Sequence, residues 1–329
     1  MAVGDCRRGL RMTQHRLSIA NIERSARVID SVFTGTPQYN CEPLSQALGS
    51  DMVLKVETLN PIRSFKGRGA DFFMSETRET FRDQNLVCAT AGNFGQAMAY
   101  VCRSNNRPLI IYSATTANPL KIDRMRSMGA EVRQIGDNFD AAKEHAKAFC
   151  AETGSHFVED GRDIAISEGA GSIAVELMAN ASYDAVLIPL GNGALITGMA
   201  RWIKHVSPQT QVIGVSSTTA DAMHASFKSG SIVERESANT IADGIAVRTP
   251  VPEAVTDMMG IVDDVLLVSD DALKSAMKVM FEKAGLVTEP AGIAGIAAVL
   301  EHQALRGKKL ATVLCGSNVT TEQVEMWLR

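Results

Sequence analysis

Lys66 stands among residues that could make a lysine reactive. It belongs to the run N-P-I-R-S-F-K-G-R-G, in which Phe65 precedes it and Arg63 and Arg68 flank it. Positive neighbours and partial burial both favour the neutral amine, because each penalises the charged form. A neutral lysine amine can attack a carbonyl group and form a Schiff base, the entry point to pyridoxal phosphate chemistry. The alternative is an exposed basic loop without chemistry.

A second segment, T-A-G-N-F-G-Q, directly follows the apolar run Leu86–Ala89. We predict a strand, a turn and the start of a helix, and in parallel sheets ligands bind beyond the carboxyl ends of strands. The free N–H groups at a helix N-terminus suit a carboxylate or a phosphate. Asn93 adds a neutral amide that could meet a ring hydroxyl. The alternative is a turn that only starts a helix.

The third segment is a glycine turn, G-N-G-A-L, after the apolar run Ala185–Leu190. Its glycines are not spaced as in the dinucleotide fingerprint G-x-G-x-x-G, and it lacks the Lys-Ser/Thr of a nucleotide P-loop. What remains is a small anion cradle whose backbone N–H groups could hold one phosphate.

A fourth segment, L-C-G-S-N, ends the last predicted strand. Its Cys315 could point at a bound ring or could be a buried core thiol. Two small turns between the third and fourth segments each carry one acid: A-D-G-I-A, which contains Gly244, and E-P-A-G, which begins at Glu289. Either turn could be a simple helix or loop cap.

Together these segments resemble, in order and spacing, the fold type II pyridoxal phosphate enzymes. The similarity runs from about Leu17 to Val324 and is closest to the serine/threonine dehydratase branch, near serine racemase. It implies an α/β fold like that of the tryptophan synthase β chain, with parallel sheets flanked by helices. It also implies pyridoxal 5′-phosphate as cofactor and usually a homodimer. The large cofactor-binding domain is expected at residues 1–84 and 163–329, and a small mobile domain at residues 85–162.

The resemblance also implies roles for individual residues. Lys66 is the Schiff-base lysine, Phe65 lies against the cofactor ring, Asn93 meets the ring's 3′ oxygen and Cys315 faces the pyridine nitrogen. The backbone that binds the phosphate belongs to Gly191, Asn192, Gly193, Ala194 and Leu195. The substrate-binding residues are Ser64, Thr90, Ala91, Gly92, Asn93 and Gly244.

Three departures from the family's pattern refine this assignment. Racemases carry a serine that exchanges a proton on the second face of the α-carbon, and Ala91 stands in its place, which favours elimination over racemisation. Ser216 and Ala222 replace the acidic pair of the racemases' divalent-metal site, so we predict no such metal site. Asn192 and Ala194 replace glycines in the phosphate loop, which is similar to threonine synthases.

We therefore predict a pyridoxal phosphate-dependent ammonia-lyase that converts a β-hydroxy amino acid such as L-threonine or L-serine to a 2-oxo acid and ammonia. Lys66 is the expected base for the α-proton. The resemblance implies that the cofactor phosphate protonates the departing hydroxyl. One alternative is a β- or γ-replacement enzyme like threonine synthase. Another is a catalytically silent relative that binds an amino acid.

Strand-like and helix-like patterns alternate along the chain, as in parallel sheets with crossover helices. The predicted strands are Leu86–Ala89, Leu109–Ser113, Glu131–Ile135, Ala185–Leu190, Val212–Ser216, Val265–Val268 and Ala311–Leu314. The predicted helices are Phe94–Arg103, Asn118–Met128, Phe139–Glu152, Ile173–Ala179, Ile196–His205, Asp270–Glu282 and Gly292–His302. Their number favours two α/β domains.

Composition is that of a globular enzyme, with 329 residues, 45% of them hydrophobic and a net charge of −4. This charge gives no basic surface for nucleic acid. No apolar run approaches the ~20 residues of a membrane span, and the first residues do not form a secretory signal. The six cysteines form no C-x-x-C pair, which favours reduced thiols and a cytoplasmic location. Met12 is a candidate start, and we expect no C-terminal regulatory domain.

Overall fold

The computed structural model describes residues 15–328. Its strands are β1 (Gln38–Asn40), β2 (Asp51–Val56), β3 (Leu86–Ala89), β4 (Leu109–Ser113), β5 (Glu131–Gln134), β6 (His156–Phe157), β7 (Ala185–Pro189), β8 (Gln211–Ser217), β9 (Asp264–Val268) and β10 (Lys309–Leu314). Its helices are α1 (Ile19–Val28), α2 (Glu42–Leu48), α3 (Lys66–Thr77), α4 (Asn93–Ser104), α5 (Pro119–Ser127), α6 (Phe139–Thr153), α7 (Ile164–Met178), α8 (Ala194–Val206), α9 (Ala222–Ser229), α10 (Pro252–Met258), α11 (Asp270–Ala284), α12 (Ala294–Glu301) and α13 (Thr321–Leu328). Short 3₁₀ turns cover Asp243–Ile245, Pro290–Ile293 and Gln303–Leu305.

The larger sheet has six strands in the order β1-β2-β10-β7-β8-β9. All neighbours are parallel except β1 and β2. The central strands β7 and β10 are buried almost throughout, because helices cover both faces of a parallel sheet. Because β7 and β10 are parallel, their carboxyl ends lie at the same edge of this sheet. Strand β3 belongs to the other sheet.

The smaller sheet has four parallel strands in the order β5-β4-β3-β6. It is built wholly from chain between Leu86 and Phe157. The two sheets are therefore separate, as the number of predicted units indicated. The domain boundaries proposed from the resemblance, at residues 84/85 and 162/163, stay a prediction.

Helices α7 and α8 pack unusually closely beside the larger sheet. A Cβ atom added to Gly198 of α8 would come 1.9 Å from the carbonyl oxygen of Ser167 in α7. Only glycine permits this approach, since real Cβ atoms do not come so near to backbone. Helix α8, which begins at Ala194, therefore packs closely on α7. Helix α3, which carries Lys66, also packs on α7.

The predicted parallel α/β architecture is confirmed, and all seven predicted strands and all seven predicted helices exist. Strands β3 and β4 have the predicted bounds, and the other elements have shifted ends. The pattern missed the strands β1, β2 and β6 and the helices α1, α2, α3, α9, α10 and α13. The omission of α3 matters most, because its glycine-rich first turn carries Lys66 and does not look helical.

The described chain also bears on the expectations from composition. No helix among residues 15–328 is long and apolar enough to cross a membrane. The five cysteines within this range are buried free thiols. Cys6 and Met12 lie outside the described residues.

Candidate active site

The sequence-predicted segments meet in one cleft of about 580 Å³, at the carboxyl ends of β3, β7 and β10. The predicted residues that line it are Phe65, Lys66, Thr90, Ala91, Gly92, Asn93, Gly191, Asn192, Gly193, Ala194, Leu195, Gly244 and Cys315. Ser64 does not line the cleft. It is fully buried, its backbone pairs with that of Gly316, and its Oγ has no hydrogen-bond partner within residues 15–328.

Lys66 is the first residue of α3 and reaches the cleft with a side chain that is 17% exposed. Its Nζ forms an ion pair with Asp160 and lies 4.6 Å from the centroid of the Phe65 ring. The prediction that positive neighbours surround this amine is wrong. Arg63 is exposed in a left-handed conformation, with φ 52°, and Arg68 points into the core. The charged partner of Lys66 is therefore a carboxylate.

Arg68 lies at the centre of a buried charge network one half-turn beyond Lys66. Its guanidinium donates to both oxygens of Glu57 at 2.8 and 2.9 Å and to Glu176 at 2.6 and 3.0 Å. Lys55 is also buried and donates to Glu176 at 2.5 Å. Burial alone raises the pKa of Glu176, but the two cations lower it to about 2. The network fixes the first turn of α3, and with it the position of Lys66.

Asn93 begins α4, but its amide makes contacts that the sequence did not indicate. Its Nδ2 donates to Glu289 at 2.7 Å, and its Oδ1 accepts from the side chain of Asn318 at 2.8 Å. Glu289 also accepts the backbone N–H of Asn318 at 3.0 Å. An amide nitrogen carries two N–H groups, so Asn93 can bind Glu289 and still offer a donor to a ring oxygen.

Glu289 is a buried carboxyl that lines the cleft. Its turn is therefore more than the helix or loop cap that the sequence alone allowed. Burial is the main cause that raises its pKa to about 7, and the charge of Asp243 adds to this effect. Lys121 and the hydrogen bonds from Asn318 and Asn93 oppose the rise. The only sequence signal was the acid itself, in a turn between the third and fourth segments.

We expect Glu289 to make stability depend on pH. Its carboxyl binds a proton more tightly in the folded state than at its ordinary pKa of 4.5. The stability that this group contributes is therefore complete below about pH 4.5 and is lost as pH rises to about 7, by at most about 1.4 kcal/mol per pH unit. Glu289→Gln removes the titrating group. Thermal unfolding midpoints at pH 5 and pH 8 should show the wild type losing more than the variant. A constant difference would contradict the assignment.

The glycine turn before α8 has the geometry of an anion cradle. Gly193 adopts φ +98°, which favours glycine, and a Cβ atom at Gly191 would come 2.5 Å from the carbonyl oxygen of Gly244. The turn leads into α8, whose first N–H groups have no acceptor within the helix and receive no side-chain cap. The backbone from Gly191 to Leu195 therefore fits a phosphate group, and the substitutions Asn192 and Ala194 do not close the cleft.

Cys315 is both a buried thiol and a residue of the cleft. Its Sγ lies 3.8 Å from the carbonyl oxygen of Ala291. Burial raises the pKa of this thiol strongly, and the nearby charge of Glu289 adds to the rise while Lys66 opposes it. The side chain is thus a neutral group at the end of β10, suited to face an unprotonated ring nitrogen.

Neither Ser216 nor Ala222, which stand where the racemases carry an acidic pair, has a carboxylate side chain. Ser216 is buried and donates to the carbonyl oxygen of Leu190 at 3.1 Å, and Ala222 starts α9. Within residues 15–328 no group of three or more His, Cys, Asp or Glu side chains could hold a metal ion. That the protein uses no divalent metal stays a prediction.

Local sequence patterns did not predict several cleft residues. The strand before such a residue is too short to recognise, or its partner is distant in sequence. Asp160 follows β6, which has only two residues. Two ion pairs, between Lys121 and Asp243 and between Arg248 and Asp140, join α5 and α6 to the segment before α10. These pairs bring the two walls of the cleft together.

Comparisons with known proteins find enzymes that are similar to this chain. The profile of the family described as pyridoxal-phosphate dependent enzyme matches residues 29–316. The chain is 32% identical to an L-threonine ammonia-lyase of Thermotoga maritima, over 94% of this chain and 77% of that protein. It is 31% identical to the biosynthetic L-threonine dehydratase IlvA of Lactococcus lactis subsp. lactis, over 92% and 75%. The structure of processed threonine deaminase isoform 2 from Solanum lycopersicum superposes with a TM-score of 0.86 at 28% identity, over 94% of this chain and 88% of that one.

Proposed function

Because the chain belongs to the pyridoxal-phosphate dependent enzyme family, we propose that it is an ammonia-lyase that eliminates the β-hydroxyl of threonine or serine. The product is a 2-oxo acid with release of ammonia. The main support is the meeting of Lys66, the Thr90–Asn93 turn and the glycine turn in one cleft. Similarity to an L-threonine ammonia-lyase and to threonine dehydratases supports the substrate class.

The residues of the cleft fit the cofactor in the manner that the resemblance implies. Lys66 would hold its aldehyde carbon, with the Phe65 ring beside that amine. The N–H groups from Gly191 to Leu195 would hold its phosphate, and Cys315 would offer a neutral group to its ring nitrogen. When bound, pyridoxal phosphate supplies an electron sink that makes the substrate's α-proton removable.

The substrate is held by the turn at the start of α4. The substrate's carboxylate accepts hydrogen bonds from backbone N–H groups of the Thr90–Asn93 turn, because the N-terminal end of α4 carries a partial positive charge. Gly244 leaves room beside the β-substituent. Ser64 lies behind the cleft surface, so its contribution to substrate binding is through the backbone that carries Lys66. The amine of Lys66 would take the α-proton.

A panel of β-hydroxy amino acids tests this proposal. Purified protein loaded with pyridoxal phosphate should release 2-oxo acid and ammonia from L-threonine or L-serine without an added nucleophile. A product that appears only with an added nucleophile would favour a replacement enzyme similar to threonine synthase. Cofactor-loaded protein that releases no ammonia from any member of the panel would favour an amino-acid-binding relative.

Three further proposals follow from the same resemblance. The protein acts as a homodimer in the cytoplasm. Residues 85–162 form a small domain that moves against a large domain of residues 1–84 and 163–329, and the smaller sheet lies inside the first of these ranges. Sedimentation of the purified protein tests the dimer.

Ala91 offers a test of face selection. It lines the cleft between Thr90 and Gly92 and carries no exchangeable proton. Ala91→Ser places a hydroxyl there, so we expect the variant to gain measurable α-proton exchange on the second face, with racemisation, while it retains elimination. The measurement is formation of deuterium-labelled D-serine from L-serine in heavy water, with Ala89→Ser as the matched control. Absence of any change means that other residues select the face.

A further inference from the structure

Asp160 is a buried carboxylate that has no role in the reaction steps proposed above. Its residue is 7% exposed, and it lines the cleft beside Lys66. One oxygen, Oδ2, contacts the Lys66 amine. The other, Oδ1, is buried without a hydrogen-bond partner among residues 15–328. A buried polar atom without a partner is costly, so this oxygen is placed for a group that enters the cleft.

The other acids of the same loop are already engaged in holding it. Glu159 forms an ion pair with Lys143 of α6. Asp163 accepts the backbone N–H of Glu159 at 2.6 Å. Asp160 is therefore the carboxylate of this loop that faces Lys66.

The loop also packs against the glycine turn. Gly161 adopts φ +87°, and a Cβ atom there would come 2.4 Å from the carbonyl oxygen of Asn192. Asp160 is thus held between the amine of Lys66 and the glycine turn. A substrate whose α-carbon lies at Lys66 has its β-oxygen only two bonds further away, within reach of this carboxyl.

Elimination of a hydroxyl requires two proton movements. The α-proton must leave carbon, and the hydroxyl must gain a proton, because hydroxide is a poor leaving group. Lys66 receives the first proton. Since its Nζ contacts Asp160, the proton has a direct path from the lysine to the carboxyl that faces the β-position.

We propose that Asp160 is the catalytic acid that protonates the departing β-hydroxyl, with the proton that Lys66 took from the α-carbon. This inference rests on the proposed elimination reaction. The proton passes from Cα to Lys66 Nζ, then to the Asp160 carboxylate, then to the β-oxygen. The C–O bond breaks with its electron pair on oxygen, and the C–H pair becomes the new bond between Cα and Cβ. The net change is loss of one water molecule, so no other reactant is needed.

Leaving groups that differ in their need for a proton test the relay. Asp160→Asn keeps the shape of the side chain but removes the acid. With the cofactor-loaded variant, we expect release of 2-oxo acid from L-serine to fall about 10²- to 10⁴-fold. Elimination from β-chloro-L-alanine should change little, because chloride departs without a proton.

Two further measurements separate chemistry from structure. The variant should keep the cofactor's visible absorption band and should still exchange the α-proton of L-serine with deuterium, because Lys66 is intact. Glu159→Gln is the matched control from the same loop and should treat both substrates alike. If Asp160→Asn does not hold the cofactor, Asp160→Ser is compared by the same ratio of rates.

An equal loss on both substrates would overturn the proposal and make Asp160 a structural partner of Lys66. Unchanged rates on both would overturn it in favour of the cofactor phosphate as the acid. Failure of the proposed function looks different, because the wild type itself would then release no ammonia from L-serine.

Discussion

Replacing Lys66 with alanine is expected to abolish ammonia release from L-threonine and L-serine. The variant loses both the amine that bonds the cofactor and the base that removes the α-proton. Loss of a general base alone costs up to about 10⁴-fold in rate, and loss of the covalent anchor adds to this. The visible absorption band of the bound cofactor should disappear as well. Spectra and coupled ammonia assays of the purified variant measure both effects.

Lys143→Ala is the matched control for this experiment. Lys143 also reaches the cleft, but its amine pairs with Glu159. The control should keep the absorption band, and borohydride reduction should still fix the cofactor at Lys66. Ammonia release by Lys66→Ala, or borohydride labelling at another lysine, would refute the assignment of this residue.

Arg68→Met is expected to cost about 3–5 kcal/mol of stability, because removal of one partner leaves buried charges without compensation. Burial lowers the pKa of the Arg68 guanidinium, but Glu57 and Glu176 outweigh this and raise it overall. Methionine fills much of the same space and has no charge. The carboxylate of Glu57, which is fully buried, then lacks the guanidinium that neutralises it. Because Lys66 is two residues away on α3, cofactor affinity should fall together with stability.

Chemical unfolding followed by circular dichroism measures this effect. The same substitution at Arg82, whose ion pair with Glu79 is largely exposed, is the control and should leave the unfolding midpoint unchanged. A similarly small effect at Arg68 would mean that Lys55 and the remaining hydrogen bonds compensate for the lost guanidinium.

The sequence predicted the parallel sheets and the four segments of the cleft because both depend on local signals. Apolar runs such as Ala185–Pro189 are strands buried on both faces, and a glycine turn after such a strand lies at the ligand edge by geometry alone. The resemblance to fold type II enzymes added the order in which these segments meet.

Other features of the site depend on residues that are far apart in sequence. Asp160 is 94 positions from Lys66, and Glu289 is 196 positions from Asn93. No local pattern reports such pairings. The positions of the flanking arginines of Lys66 could not be predicted for a related reason. The helical turn that starts at Lys66 directs Arg68 into the core, and its glycine-rich sequence does not indicate a helix.

Strand β10 has a consequence for how the protein is made. It contains residues 309–314, yet it lies between β2 and β7 at the middle of the larger sheet. During synthesis, a nascent chain that has not yet reached this strand leaves β2 and β7 without the strand that pairs with both, and it lacks Cys315. Lys66 emerges from the ribosome some 250 residues before β10 does. Assembly of the vitamin-binding centre is therefore a late event, coupled to the synthesis of residues 309–315 and not to the appearance of its reactive lysine.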